Sequence, residues 1–283
     1  MTPNKMSAQA ETGEPSNYPA RFLALALSSL TLLVRPPSHA RRAQAARRLG
    51  RHALLTSGVF ATAIIVLMVG FDASEIAMMP PRGTASLWPA RIATDFGKDF
   101  YVLCTLFAAL IVVGLLAPAL HGAAQGRLLS FGLRLQFLFL AVLVPLLPGE
   151  LIKWVVGRGR PFVGGPANPF NFAHFAGSGA YASFPSAHAI TACTLAFAIS
   201  AVWPRMRGVM IAYALIVCFT RLVLLAHHPS DVVAGALIGI VGAMCVRYWF
   251  AARGLGFAIS RNGTIFPLAH RRFKGVARGA CAS

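Results

Sequence analysis

The chain has 283 residues, of which 57% are hydrophobic and only 12% charged, about half the charged fraction of a soluble domain. That composition excludes an ordinary water-soluble enzyme and indicates an integral membrane protein. The net charge of +18 would point to nucleic acid on a compact polar domain. Distributed among apolar segments it reads instead as the cytoplasmic signal of a multi-span protein with an attraction to anionic lipid, and no nucleic-acid partner is expected.

Residues 1–20 are polar and mixed, with too little apolar content to fold alone. Phe22–Val34 is apolar but shorter than the roughly 20 residues that cross a bilayer. It has the length of a signal-peptide core, with Ser38-His39-Ala40 as a small-residue cleavage site. Arg41, Arg42, Arg47, Arg48 and Arg51 follow at once, however, and cleavage would leave them outside the cell. A helix lying on the membrane surface is the preferred reading.

Six apolar segments of spanning length follow, at about 53–71, 99–120, 130–149, 187–203, 209–226 and 232–250. The third contains Pro145 and Pro148, which a membrane helix tolerates when its neighbours satisfy the freed carbonyls. The expected fold is all-α, a polytopic six-span helical bundle. Residues 1–52 form a basic N-terminal region, 53–250 the membrane domain and 251–283 a basic tail. With the N-terminus inside, 19 of the 26 basic residues fall on the cytoplasmic side, as do only Glu11 and Glu14 of the eight acids. Both termini are therefore expected in the cytoplasm.

The five cysteines (Cys104, Cys193, Cys218, Cys245 and Cys281) contain no Cys-x-x-Cys pair, and four lie in apolar runs. They read as small buried hydrophobes rather than as a disulfide framework or a metal site. Of the outer segments, 72–98 carries Pro80-Pro81 and Trp88 and is expected at the interface. The segment 162–185 is rich in aromatics, including Phe162, Phe170, Phe172, Phe175, Tyr181 and Phe184. These suit the headgroup belt or the lining of an acyl-chain groove.

Three polar clusters lie at outer ends of spans. Lys153 and Arg160 are two helical turns apart and share a face for as long as the helix lasts, with Pro161 expected to end it. One point charge and one planar fork suit a tetrahedral phosphate; Arg158 lies off that face and is the weaker candidate, and headgroup contact by snorkelling side chains accounts for Lys153, Arg158 and Arg160 alike. Pro185-Ser186-Ala187-His188 sits where a loop turns into an apolar helix, and a helix start presents free N–H groups and a positive dipole end to an anion. Arg221 precedes His227 and Asp231, which are four apart. A carboxylate there can accept from one ring nitrogen and leave the other as a nucleophile; a helix-start acid beside an interfacial histidine accounts for the same pair. His228 has no assigned partner and is left as structural.

The ordered set Lys153-x6-Arg160-Pro161, Pro185-Ser186-Ala187-His188 and Arg221-x5-His227-x3-Asp231 resembles the type 2 phosphatidic acid phosphatase family, which includes the vanadium haloperoxidases. The resemblance covers about Glu150 to Val232. Two positions depart from the family pattern: Ala187 replaces its usual glycine, and Thr220 stands where a serine usually precedes the arginine. By resemblance, His227 attacks phosphorus to form a phosphohistidine, Asp231 holds its far nitrogen, and His188 protonates the leaving oxygen and then activates water. Lys153, Arg160 and Arg221 cradle the phosphate oxygens with Ser186 and the backbone N–H groups around Ala187.

Three cations without a carboxylate cluster imply a site with no metal and no cofactor. Because His227 must be neutral and His188 charged, a bell-shaped pH profile is expected. The substrate implied is a lipid phosphate at the outer face of a bacterial-type inner membrane. Candidates are phosphatidic acid, phosphatidylglycerophosphate, undecaprenyl diphosphate and the phosphates of lipid A. Transfer of the phosphoryl group to a lipid acceptor, or a non-catalytic phospholipid-binding or transport role, are the competing readings. Haloperoxidase activity does not suit a membrane protein.

Overall fold

The computed structural model describes residues 17–37, 39–161, 163–165 and 168–268. The polar stretch 1–16, the tail beyond 268 and the loop aromatic Phe162 lie outside the described residues. The first helix, α1 (Tyr18–Val34), has proline in its first turn, where the ring presets φ. Leu23, Leu27, Leu30 and Val34 are exposed along one stripe, while Leu32 and Leu33 pack on the core. The Tyr18 hydroxyl donates to the Leu115 carbonyl at 2.6 Å and the Trp249 indole N–H to the Leu33 carbonyl at 3.2 Å. This helix is laid against the bundle with an apolar stripe left facing outward.

The chain continues through α2 (His39–Gly70), α3 (Asp72–Met78), α4 (Trp88–Asp95), α5 (Asp99–Leu116) and α6 (Gly122–Val156). It then passes through α7 (Ala187–Val202), α8 (Arg207–Val223) and α9 (Pro229–Ala252). Five stretches are long and apolar enough to cross a membrane: Ala45–Gly70, Ala85–Ala119, Gly122–Val156, Pro204–Val223 and Pro229–Ala252. The expected fourth span is α7, which at 16 residues rises only about 24 Å. It is the central helix of the bundle: Ala189, Ala192 and Ala198 are fully buried, and α6, α8 and α9 surround it. One end reaches Asp231, whose carbonyl accepts from the Ser186 N–H at 3.1 Å. The other reaches the cluster of Phe137, Phe250 and Phe257, where Val202 and Trp203 pack. A helix shielded by protein on its sides need not match the thickness of lipid.

Small residues let α7 and α9 approach. A side-chain carbon at Gly235 would lie 2.5 Å from the Ser186 carbonyl oxygen, and one at Gly239 2.5 Å from that of Ile190. Two glycines four apart, facing backbone, are the small-xxx-small packing of membrane helices. The seam fixes the start of α7 against the start of α9.

Helix α6 runs unbroken through Pro145 and Pro148 and ends at Val156. Gly157 then takes φ 55°, ψ 45°, with its N–H donating to the Lys153 carbonyl, a left-handed cap that favours glycine. The expectation that the helix persists to Arg160 is corrected here, because the left-handed residue stops it three positions sooner. Lys153 and Arg160 therefore do not share a helical face. Gly157→Ala is expected to cost at least about 2 kcal/mol, since left-handed geometry alone costs roughly 1–2 kcal/mol for an L residue. In addition, the new carbon would sit 1.9 Å from the Ala173 carbonyl oxygen. Thermal unfolding in detergent reads it.

Two features differ from expectation in detail. The segment 72–98 is organised as α3 and α4, and the Tyr213 hydroxyl of α8 donates to the Phe96 carbonyl at 2.8 Å, so this connection is docked on the bundle. The start of the basic tail forms an antiparallel hairpin of β1 (Phe257–Ile259) and β2 (Ile265–Pro267). Arg48 from α2 donates to the Asn262 carbonyl and the Thr264 hydroxyl, each at 2.9 Å. The hairpin and the arginine-rich part of α2 thus meet at one end of the bundle, and the polar clusters gather at the other.

Candidate active site

The loop from 157 to 186 is tied down by its backbone. The Ser183 N–H donates to the Arg158 carbonyl at 3.0 Å, and the Arg160 N–H to the Ala180 carbonyl at 2.9 Å. Opposite it, α8 ends at Val223, Leu225 adopts φ 48° and the Ala226 N–H closes on the Arg221 carbonyl. The tight turn delivers His227 and His228 to Pro229, which occupies the first turn of α9.

His227 is 3% exposed, and its Nδ1 lies 2.7 Å from the Ser183 carbonyl oxygen. A carbonyl only accepts, so Nδ1 carries the proton and Nε2 keeps its lone pair. Asp231 is not the direct partner expected of it: its Oδ2 is 4.0 Å from Nδ1, beyond hydrogen-bond range. Oδ2 accepts instead from the Ser183 hydroxyl at 2.5 Å and the His228 N–H at 2.9 Å. Asp231 therefore acts through Ser183, anchoring the residue whose carbonyl fixes the His227 ring. Burial first, then the charges of Arg221 and Arg160, hold His227 well below the usual imidazole value; the Ser183 carbonyl works in the opposite direction, and His188 adds to the depression. His228 is fully buried at the cap of α9.

The buried centre of this end is Arg158. Its guanidinium, 1% exposed, donates through Nη1 to Asp231 at 2.6 Å and Ser230 at 2.7 Å. Nη2 donates to Asp72 at 2.8 Å and Nε to the Pro169 carbonyl at 2.9 Å. Headgroup contact is thereby replaced by a structural role between two carboxylates. Asp72, Ser183, Ser230 and Thr94 are the residues that sequence reasoning missed. Asp72 alone carried a signal, as an acid directly after the first span on the acid-rich side.

The remaining candidates take these places. Ser186 caps α7 with its hydroxyl fully buried and unpartnered among the described residues. Ala187 begins the helix without positive φ, so alanine is accommodated, and the N–H groups of Ala187, His188 and Ala189 are those left free by the helix start. His188 has its Nε2 buried without a partner among the described residues. Arg221 donates to the Thr94 hydroxyl at 2.7 Å, and Arg160 to the carbonyls of Gly179 at 2.9 Å and Ala226 at 3.4 Å. Both arginines line one cavity of about 310 Å³ beside Ala226. Lys153 does not line it and pairs with Glu150 one turn back.

Glu75 of α3 is 1% exposed, and neither carboxyl oxygen has a hydrogen-bond partner among the described residues. Burial, then Asp72 and Asp231, push it up to about 7. The folded protein thus holds a proton that the unfolded chain releases near pH 4.5. This contribution to stability is whole below that pH and is lost as pH rises through about 7. Glu75→Gln is expected to raise stability at pH 8 by about 1–2 kcal/mol and to change it little at pH 5, as read from melting temperature at the two pH values.

Comparison with known proteins places the chain among relatives of this kind. The PAP2 superfamily pattern matches residues 134–255. The chain is 33% identical over 217 residues to the lipid A 1-phosphatase of Rhizobium johnstonii, covering 75% of this chain and 86% of the relative. It is 31% identical over 221 residues to the lipid A 1-phosphatase of Rhizobium etli, covering 76% and 92%. No solved structure matches the chain at a significant level.

Proposed function

The chain belongs to the PAP2 superfamily, and from that premise we propose that it is a membrane lipid phosphatase working through a phosphohistidine without a metal. The observation that carries the reading is the buried His227, whose Nδ1 is committed to the Ser183 carbonyl next to a cavity lined by Arg160 and Arg221. The Nε2 lone pair bonds to phosphorus as the bond to the leaving oxygen breaks, and His188 supplies that oxygen's proton. Water then attacks phosphorus, His188 takes its proton, and the P–N bond breaks to regenerate the ring. Arg160 and Arg221 neutralise the oxygens where charge develops, with Lys153, the Ser186 hydroxyl and the free N–H groups at Ala187 around them. The carboxylates of Asp72 and Asp231 are taken up by Arg158 and the serines, which supports a mechanism built on cations.

The same proposal has six crossings, with α7 as the fourth, both termini in the cytoplasm and the site on the outer face of a bacterial inner membrane. The arginine-rich end opposite the site supports that orientation. The relatives' names make the 1-phosphate of lipid A the first substrate to test. Purified protein in EDTA is expected to release phosphate from at least one member of a lipid phosphate panel, and the His227→Ala protein from none. Phosphate recovered on a lipid acceptor instead of in solution would identify a transferase, and equal function of the two proteins would identify a binding protein.

A further inference from the structure

We propose that Cys193 of α7 and Cys218 of α8 are an oxidation site, a thiol pair that a small apolar disulfide converts into an intramolecular bridge, and that the bridge lowers the activity of the site beside it. The loss of activity rests on the assignment of His188 and Arg221 to phosphoryl transfer; formation of the bridge does not. The two cysteines are 25 residues apart in the chain, and their Sγ atoms meet at 3.9 Å across the packed seam of α7 and α8. Both are half-buried, so neither thiol is sealed from a reagent. Cys104 and Cys245 are exposed and have no thiol neighbour among the described residues. The sequence presents all of them as small hydrophobes, and only the fold makes two of them a pair.

The pair lies close to the proposed chemistry. Cys193 follows His188 by five residues and Cys218 precedes Arg221 by three, rises of about 7.5 and 4.5 Å along their helices. In the proposed topology this is the outer half of the membrane, next to the oxidising compartment of a bacterial envelope. Little slack separates the pair from the histidine. Val217, adjacent to Cys218, is buried. A side-chain carbon at Gly97 would lie 2.4 Å from its Cγ1 and 3.5 Å from Cδ2 of His188, so Val217 and the His188 ring close on the same point of the backbone. A disulfide is about 2 Å long, and the sulfurs have to close to it from 3.9 Å. The seam between α7 and α8 has to rearrange to allow this, with Val217 and His188 on its two sides. Displacing a reacting group by about 1 Å costs on the order of 100-fold in rate.

The reaction is thiol–disulfide exchange. One cysteine attacks a sulfur of the reagent, forming a mixed disulfide and releasing one reagent thiol. The second cysteine attacks the protein-bound sulfur of that mixed disulfide, forming the Cys193–Cys218 bond and releasing the other reagent thiol. The pair is oxidised by two electrons, and the reagent's S–S bond is reduced to two thiols that carry away the two protons.

The test treats the full-length protein in nanodiscs with dithiodipyridine and maps linked peptides by mass spectrometry. A linked Cys193–Cys218 pair is expected, and the C104S/C245S/C281S protein should release two pyridinethiones per chain with no adduct retained. Phosphate release from the most active member of the lipid phosphate panel should fall at least about 10-fold on bridging and return with dithiothreitol. The C193A and C218A proteins should start with unaltered activity and keep it through the same treatment. Separate pyridyl adducts on both cysteines, or no reaction at either, overturn the oxidation site. A linked pair with unaltered activity, or an equal loss in C193A, overturns its coupling to the site. A reduced protein that hydrolyses no lipid yet forms the linked pair would sink the phosphatase reading and leave the oxidation site standing.

Discussion

His227→Ala is expected to lower phosphate release by several orders of magnitude, because in the proposed mechanism no phosphoenzyme forms without the ring and only the cations around the cavity remain to help water. The loss has to be separated from unfolding. Truncation leaves the Ser183 carbonyl without the donor it has at 2.7 Å, and an orphaned buried acceptor costs about 1–3 kcal/mol. The variant should therefore melt earlier but cooperatively, and at a temperature where it is fully folded it should remain inactive. His227→Gln restores a donor without a nucleophile, so recovered melting with no recovered activity is the signature of a chemical role. The pH dependence supplies an independent reading. His227 is held well below the usual imidazole value, so it stays neutral to more acid pH than a free histidine, and the acid limb of kcat/KM should lie below about 6.5. The sign for stability follows: the unfolded chain binds a proton that the folded ring does not, so stability is lost as pH falls beneath that value. An acid limb at or above about 6.5 in the wild-type protein would contradict the assignment.

Much of this site was legible because its chemistry is carried by side chains at short spacing. The four-residue step from His227 to Asp231, the proline-led start of α7 and the arginine that closes α8 are local patterns, and the structure puts all three at one end of the bundle. What joins them was not legible. The acceptor for His227 is a backbone carbonyl at Ser183, which no residue type announces. Arg158 reads as a weak phosphate candidate suited to headgroup contact until the fold brings Asp72, 86 residues earlier in the chain, to its Nη2. The helix end at Gly157 was missed because Pro161 gave a stronger stop signal four residues later. The shortness of α7, 16 residues, was not legible for the same kind of reason: its neighbours, which sequence periodicity does not reveal, cover it. The glycines at 235 and 239 were a readable sign of that close packing.

The second large effect belongs to Arg158. Arg158→Ala is expected to destabilise the protein by about 3–5 kcal/mol, the usual cost of removing one member of a buried ion pair. Both Asp72 and Asp231 are fully buried, and the substitution leaves the two carboxylates without their shared cation. Arg158→Lys should recover little, since one ammonium cannot reproduce donors aimed separately at Asp72, at Asp231 and Ser230, and at the Pro169 carbonyl. Asp72→Asn in the Arg158→Ala background should restore part of the loss by removing one orphaned charge, a non-additivity that a double-mutant cycle reads directly. Activity should fall along with stability, because Asp231 holds Ser183 and Ser183 holds the ring of His227. A loss under about 1 kcal/mol, within the range of an exposed ion pair, would show that the network does not bear on the fold. The link from Asp72 through Arg158 and Asp231 to the nucleophile would then have to be abandoned.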